Sequence, residues 1–395
     1  MQSITQDIRF VGAEDDNLDL FEGQYPIPGG ISYNSYFVAD DRVAVVDAVD
    51  VRRCGDWLAS VASAACAAGR DPGYLIVQHV EPDHSGSVRA FVDRYPDATV
   101  VCTAKAAAML ANFFEDVDFT SRCHIVADGD SLCLGSHTLR FVTAPMVHWP
   151  EVMMTLDETD GVLFSADAFG SFAMSGSADA WDAEARRYYT NIVGRFGPSV
   201  QAVMKKLAGR CFGIVAPLHG PVLTGNLAHY WQLYDKWSRY EPETRGVLVA
   251  YASIYGGTAE AARRMAAALD ERGAGEVVLL DLCRHDVSYA VAEAFRLSHM
   301  VLCSVTYDGG LFPAMHSFLH HIESKHLCGR RVGLVENGSW APQAARLMAD
   351  ALSRMKDMTV VAPVLSIHSR LHCADLPVLG ALADELMADE LMAED

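Results

Sequence analysis

The stretch YLIVQHVEPDH, residues 74–84, carries the cluster of side chains that dominates the first part of the sequence. It begins as a short apolar run, which predicts a buried strand, and continues into a polar loop that contains a proline. Four side chains that can bind a metal stand close together in it: His79, Glu81, Asp83 and His84. Because loops at the ends of sheets commonly carry functional residues, the group predicts a metal site rather than four structural side chains.

Three further candidate ligands follow apolar runs later in the chain. His148 comes shortly after a run that ends at Pro145, Asp167 ends the run LFSAD, and His219 follows the run GIVAP. Strand ends in a sandwich of sheets meet at one rim, so we expect these three side chains to join the loop at residues 79–84.

The ligand types indicate which metal the site would hold. Imidazoles and carboxylates are present and no thiolate is involved, which suits two iron or manganese ions better than a structural zinc. A carboxylate can bridge two cations and reduce their mutual repulsion, and Asp167 is the candidate bridge. The ten cysteines contain no CxxC pair, which excludes a zinc ribbon, a rubredoxin-type iron site and a thioredoxin motif.

The first part of the chain is predicted to form a strand-rich α/β sandwich with helices outside. Residues 32–40 and 42–50 are predicted to pair as two strands, and apolar residues at helical spacing follow them. Hairpin patterns occupy residues 131–145 and 151–168, and residues 181–207 are predicted to be helical.

The pattern changes at YEPETR, residues 240–245, which is predicted to be a linker. Five strand-like runs then alternate with helical segments, at residues 246–253, 276–282, 299–306, 331–337 and 359–367. This alternation predicts a doubly wound five-stranded parallel sheet. We therefore expect two domains, residues 1–243 and 246–395, with a terminal helix in the repeated ADELM of residues 383–392.

The turn SIYGGT, residues 253–258, follows the first of these strands and predicts a phosphate site. A helix N-terminus presents free N–H groups, and glycines allow close approach of the backbone. Loops after the third and fourth strands lie at the same sheet edge and offer aromatic faces to a planar ring. The candidate cofactor-binding residues are Ser253, Ile254, Tyr255, Gly256, Gly257, Thr258, Ser304, Val305, Thr306, Tyr307, Asp308, Gly309, Asn337, Gly338, Ser339 and Trp340.

The motif HxExDH, with a later His, Asp and His, resembles the metallo-β-lactamase fold. Hydrolases of that fold usually carry His at the position of Glu81, and a Glu there followed by a flavodoxin-like domain resembles the flavodiiron proteins. NSYF, HWP, FSADAFG and YYTNI strengthen the resemblance, which covers nearly the whole chain. It implies an N-terminal metallo-β-lactamase-like αββα sandwich that carries two irons, followed by a flavodoxin-like sheet that binds FMN.

The resemblance also implies the role of each ligand. His79, Glu81 and His148 would hold one iron. Asp83 and His219 would hold the other, and Asp167 would bridge them. His84 is a ligand in some members of the family and stands off the metal in others, so its role is open. At the flavin turn, Gly257 replaces an Asn that is common in the family, which should remove one side-chain contact.

The implied activity is reduction of O2 to water, of NO to N2O, or of both, in a cytoplasmic enzyme. Electrons would come through FMN from an external donor, which could be rubredoxin, a reduced deazaflavin or a flavin reductase. One alternative is a zinc hydrolase fused to a flavodoxin-like module, which Glu81 disfavours. Another is an electron carrier or redox sensor with a structural metal, which the carboxylate-rich ligand set disfavours.

Charge and hydropathy limit the possible partners. The formal net charge is −20, which argues against nucleic-acid binding. No apolar run is long enough to span a membrane, and no secretory signal is visible at the N-terminus. A head-to-tail homodimer, or a dimer of such dimers, is expected, because a two-fold arrangement lets each chain present its flavin to the irons of the other.

Overall fold

The computed structural model describes residues 2–175 and 181–388. The chain divides into two compact units, one up to residue 235 and one from residue 236. The two domains expected from the sequence, residues 1–243 and 246–395, stay a prediction. Most of the second ADELM repeat lies outside the described residues. Among the helices that are described, none combines the length and apolar character needed to cross a bilayer.

Short strands dominate the first unit. Its strands are β1 (Ile8–Phe10), β2 (Ala13–Asp15), β3 (Leu20–Phe21), β4 (Tyr25–Pro26), β5 (Ile31–Tyr33), β6 (Tyr36–Val38), β7 (Val43–Val46), β8 (Pro72–Ile76), β9 (Thr99–Cys102), β10 (Cys123–Ile125), β11 (Ser131–Cys133), β12 (Thr138–Thr143), β13 (Met153–Asp157), β14 (Val162–Phe164) and β15 (Ile214–Ala216). The helices up to residue 238 are α1 (Cys54–Ala68), α2 (Pro82–Ser85), α3 (Val88–Arg94), α4 (Ala104–Phe113), α5 (Phe119–Arg122), α6 (Trp181–Tyr188), α7 (Gly197–Leu207) and α8 (Leu227–Ser238).

Two sheets pack face to face in this unit. One has the order β1-β6-β7-β8-β9-β10 and the other the order β11-β12-β13-β14-β15. Ile76 and Val101 from the first sheet share a buried apolar cluster with Phe141 and Phe164 from the second. The predicted sandwich is therefore confirmed.

The predicted strand at residues 32–40 is wrong, because the chain forms two strands there. β5 pairs with β2, whereas β6 pairs with β1 and β7. Between them, the Asn34 side chain donates hydrogen bonds to the carbonyls of Pro217 and Gly220 instead of continuing a strand. The predicted helix at residues 181–207 is also interrupted, by a π-helical and a 3₁₀ turn between α6 and α7.

The second unit alternates strands and helices. Its strands are β16 (Thr244–Ala252), β17 (Glu276–Asp281), β18 (Leu297–Tyr307), β19 (Gly310–Leu311), β20 (Arg331–Asn337), β21 (Thr359–Val360) and β22 (Leu365–Ile367). Its later helices are α9 (Gly257–Asp270), α10 (Val287–Arg296), α11 (Pro313–Ser324), α12 (Ala344–Leu352) and α13 (Leu376–Met387).

The predicted doubly wound parallel sheet is confirmed. Its order is β17-β16-β18-β20-β21, and β22 also pairs with β20. The predicted fifth strand is therefore split in two around Pro363, which lacks the N–H that a ladder requires. One face of the sheet packs on α10, α11 and α12, and the other packs on α9 and α13. The carboxyl ends of β16, β18 and β20 consequently open at one edge.

Candidate metal centre and cofactor cleft

All seven candidate ligands lie on segments that follow strands of the sandwich. His79 and Glu81 follow β8, and α2 then begins at Pro82, a residue that suits the first position of a helix because it lacks an N–H. Asp83 and His84 lie on α2, and the remaining three ligands follow β12, β14 and β15. The structure brings the seven side chains together in two groups.

The first group contains His79, Glu81, His148 and Asp167. Glu81 Oε2 lies 3.2 Å from the Nε2 atoms of both His79 and His148. Asp167 Oδ2 lies 3.1 Å from His148 Nε2 and 3.5 Å from His79 Nε2. Two imidazoles and two carboxylates therefore converge on one point, which is the arrangement a divalent cation needs.

The second group contains Asp83, His84 and His219. Asp83 Oδ2 lies 3.2 Å from His219 Nε2 and 3.4 Å from His84 Nε2. Asp167 Oδ1 lies 3.2 Å from His84 Nε2 and 3.8 Å from His219 Nε2. His84, whose role the sequence leaves open, has its Nε2 atom in this group.

Asp167 stands between the two groups. Its Oδ2 atom faces the first group and its Oδ1 atom faces the second, as a bridging carboxylate would. Among the described residues, none forms a hydrogen bond with Asp167 Oδ1, His219 Nε2 or either ring nitrogen of His84, although all these atoms are buried. Because buried polar atoms without partners are costly, the cluster is suited to hold cations.

His148 and His84 hold their protons more strongly than a free imidazole does when no metal is bound. Burial lowers the pKa of His148, but hydrogen bonds with Asp167 and Glu81 outweigh burial and raise it to about 9. Burial likewise lowers the pKa of His84, and the charges of Asp83 and Asp167 raise it to about 9. Burial raises the pKa of Glu81, whereas its hydrogen bonds with His148 and His79 lower it to about 2. A metal would replace these imidazolium protons.

Hydrogen bonds to residues outside the two groups orient the imidazoles of His79 and His219. His79 Nδ1 donates to Glu151 Oε1 at 2.7 Å, and Val80 N donates to the same oxygen at 3.0 Å. His219 Nδ1 lies 2.8 Å from the Ser32 carbonyl, which can only accept, so Nδ1 carries the proton and Nε2 faces the cluster. Sequence reasoning missed both supports. The nearness of Glu151 to His148 in the chain was the available signal.

Aromatic rings pack against the second group. The Phe21 ring meets His219 edge-on at 5.3 Å, and the Tyr188 ring lies 5.7 Å from it. A cleft of about 510 Å³ beside them is lined by residues that include Phe21, Glu22, Tyr33, Glu81 and Asp83. Glu81 and Asp83 belong both to the lining of this cleft and to the two ligand groups.

The second unit has a cleft of about 640 Å³ at the sheet edge predicted for the cofactor. All the predicted cofactor residues line it except Gly256 and Ser304. Ser304 is buried, and Gly256 caps α9 with a φ of 92°. The prediction missed Ala341, Gln343 and Ser369, which also line the cleft.

Ser369 explains the glycine at position 257. A Cβ on Gly257 would collide with the Ser369 carbonyl oxygen. Asn337 holds this loop in place, since its Oδ1 accepts from Ser369 N at 3.0 Å and its Nδ2 donates to Thr258 Oγ1 at 3.2 Å. The expectation that Gly257 costs one side-chain contact and leaves the backbone cradle intact stays a prediction, and the structure adds that there is no room for a side chain at this position.

Exposed aromatic residues flank this cleft. Trp340 is 83% exposed, Tyr255 is 99% exposed, and Tyr307 is 44% exposed. Large apolar rings that line a cavity yet remain open to solvent suit a planar ligand that stacks on them. The N-terminus of α9 beside them offers N–H groups to a phosphate.

Comparison with known proteins shows what the chain is similar to. The family model "ODP family beta lactamase" matches residues 31–210. The nitric oxide reductase of Moorella thermoacetica is 28% identical over 91% of this chain and 92% of that protein. The structure of rubredoxin oxygen:oxidoreductase from Desulfovibrio gigas superposes with a TM-score of 0.91 and 25% identity, covering 99% of this chain and 98% of that one.

A second solved structure extends the likeness. The flavodiiron protein of Giardia intestinalis has a TM-score of 0.87 and 23% identity, covering 98% of this chain and 97% of that one. These likenesses span both units, and the two ligand groups occupy the lactamase-like part. The chain is therefore similar to flavodiiron proteins along nearly its whole length, and the relatives named here are oxidoreductases.

Proposed function

We propose that this chain reduces O2 to water, NO to N2O, or both, at a diiron centre in the first unit, with electrons supplied through FMN bound in the second. One observation carries the proposal: the two oxygens of Asp167 face two separate ligand groups. The relatives include both a nitric oxide reductase and an oxygen oxidoreductase, so they support the reaction class and leave the preferred substrate open.

Each iron would have its own set of side chains. His79, Glu81 and His148 would hold one iron, Asp83 and His219 would hold the other, and Asp167 would bridge the two. The position of His84 Nε2, 3.4 Å from Asp83 Oδ2, supports it as a further ligand of the second iron. When bound, a pair of redox-active irons supplies the electrons for reduction of a diatomic gas.

The surrounding residues would hold the ligands and exclude water. Glu151 fixes the ring of His79, and the Ser32 carbonyl fixes that of His219. Burial and the negative charge of Asp167 raise the pKa of Tyr188, so its hydroxyl keeps its proton near the cluster. The Phe21 ring packs edge-on against His219 and adds an apolar wall on this side of the cluster.

FMN would bind in the cleft of the second unit. The phosphate would meet the N-terminus of α9 and the hydroxyls of Ser253 and Thr258, and the ring system would stack on Tyr307 and Trp340. When bound, FMN supplies electron transfer between an external donor and the irons.

The proposed partners are an external electron donor and a second copy of the chain. The donor would be rubredoxin, a reduced deazaflavin or a flavin reductase, and the name of the Desulfovibrio gigas relative supports the first of these. A head-to-tail homodimer, or a dimer of dimers, would bring the flavin of one chain to the irons of its partner. We expect the enzyme to act in the cytoplasm.

The proposal is tested first by composition and then by kinetics. The purified chain, expressed with adequate iron, should contain about two irons and about one FMN per chain. Stoichiometric zinc in place of iron would overturn the reductase assignment and favour the zinc hydrolase. With the iron-loaded enzyme, anaerobic turnover of O2 and NO measured side by side would then establish the preferred substrate.

A further inference from the structure

Two cysteines on neighbouring strands of the sandwich touch each other. Cys102 ends β9 and Cys123 begins β10, and their sulfur atoms lie 3.7 Å apart. Cys123 stands opposite Val100 in the parallel register, and Cys102 stands opposite Ile125. The thiols are thus offset by two positions along the sheet, so they point to the same face.

The two thiols differ in access and acidity. Cys102 is fully buried, whereas Cys123 is partly exposed. A hydrogen bond from the Cys102 S–H lowers the pKa of Cys123, and the same bond together with burial raises the pKa of Cys102. Because the thiolate is the nucleophile, Cys123 is the sulfur that an oxidant reaches first and that attacks it, and Cys102 is held behind it.

The place of the pair in the sheet allows the sulfurs to approach. Within the part of the chain that the structure describes, β10 is the edge strand of the six-stranded sheet and pairs with β9 alone. The sulfurs must move from 3.7 Å to the covalent separation of about 2.05 Å. A three-residue edge strand can shift by that amount more readily than a central strand can, because one side of its ladder is unpaired.

We propose that Cys102 and Cys123 form a reversible oxidation site for hydroperoxides, with Cys123 as the attacking thiol and Cys102 as the resolving thiol. The Cys123 thiolate attacks one peroxide oxygen, the O–O bond breaks, and a sulfenic acid forms as water leaves after protonation. The Cys102 thiol then attacks the sulfur of Cys123. The S–O bond breaks, a disulfide forms and a second water leaves. Two electrons and two protons of the dithiol thereby reduce one hydrogen peroxide to two waters.

The cysteine pair is not part of the proposed metal site, but it lies close to Glu151, the residue that orients the ligand His79. The next residue, Thr103, donates from Oγ1 to the Glu151 carbonyl at 3.0 Å, and Glu151 holds His79. The oxidation needs no bound metal, so its test does not depend on the proposed function.

Peptide mapping tests the pair directly. The reduced chain is exposed to hydrogen peroxide, treated with catalase, denatured in N-ethylmaleimide and digested with trypsin. Cys123 and Cys133 fall on the same tryptic peptide, residues 123–140, so the experiment uses a Cys133→Ser background. We expect a cross-link between peptides 95–105 and 123–140 that dithiothreitol reverses.

Single variants give the order of attack. In Cys102→Ser, Cys123 should accumulate as a sulfenic acid that dimedone traps, whereas in Cys123→Ser the buried Cys102 should stay reduced. The exposed Cys66 serves as the internal control for peroxide dose. If Cys66 is oxidised while the two peptides remain unlinked in the Cys133→Ser chain, the proposal is wrong. Equal cross-linking of Cys123 to other cysteines would overturn it as well.

Discussion

Glu151 offers a direct test of how the protein supports the metal centre. Its side chain is fully buried, and Oε1 accepts one hydrogen bond from His79 Nδ1 and one from Val80 N. Glu151→Ala would leave both donors buried without an acceptor. At about 1–3 kcal/mol for each donor, the free energy of unfolding should fall by about 2–6 kcal/mol.

The conservative change separates hydrogen bonding from charge. In Glu151→Gln, the amide oxygen can accept both hydrogen bonds, so most of the folding stability should remain. The negative charge that makes His79 a stronger ligand is lost, and metal affinity should fall about 10–100-fold. We therefore expect normal folding with weakened iron binding in Glu151→Gln, and losses of both stability and iron binding in Glu151→Ala.

Two measurements check this reasoning. Chemical denaturation of the metal-free variants gives the change in stability, and competition with an iron chelator gives the change in affinity. Glu158→Gln is a matched control, because Glu158 forms a more exposed ion pair with Arg140, where about 0–1 kcal/mol is expected. If Glu151→Ala retained both the stability and the iron affinity of the parent chain, the supporting role of Glu151 would be refuted.

Three further predictions concern the bridge, the flavin turn and pH. Asp167→Asn should lower iron content at both positions and leave FMN content unchanged, as metal and flavin analysis of one preparation can show. Loss of flavin would contradict the assignment of metal and flavin to separate sites. Gly257→Ala should reduce FMN content because of the collision with the Ser369 carbonyl, while Gly273→Ala, at a positive φ in open space, should not; equal flavin in both variants would refute the steric argument. The pKa values of His84 and His148 are raised to about 9, so these groups stabilise the metal-free fold fully below about pH 6.5, and that contribution is lost as the pH rises toward 9. Denaturation of the metal-free chain at several pH values should show this decline, and stability that is constant from pH 6 to pH 9 would oppose it.

Local patterns in the sequence predict much of this architecture. Alternation of strands and helices after residue 245 predicts the parallel sheet, because each element carries its own apolar periodicity. The loop at residues 79–84 and the later His148, Asp167 and His219 predict a metal cluster, because each follows an apolar run. The breaks at Asn34 and Pro363 escaped prediction. The first depends on carbonyls from a distant loop, and the second depends on how β21 and β22 each pair with β20.

The sequence by itself determined the kinds of candidate ligand, the change of pattern after residue 240 and the sheet edge at which a cofactor is proposed, because these depend on residue type and short-range spacing. Only the tertiary structure decided that the oxygens of Asp167 face different groups and that His84 joins the second. It also decided that Glu151 supports His79, and that the Ser369 carbonyl occupies the space beside Gly257. These contacts join residues far apart in the chain, and their distances follow from the packing of whole sheets and loops, which no local pattern encodes.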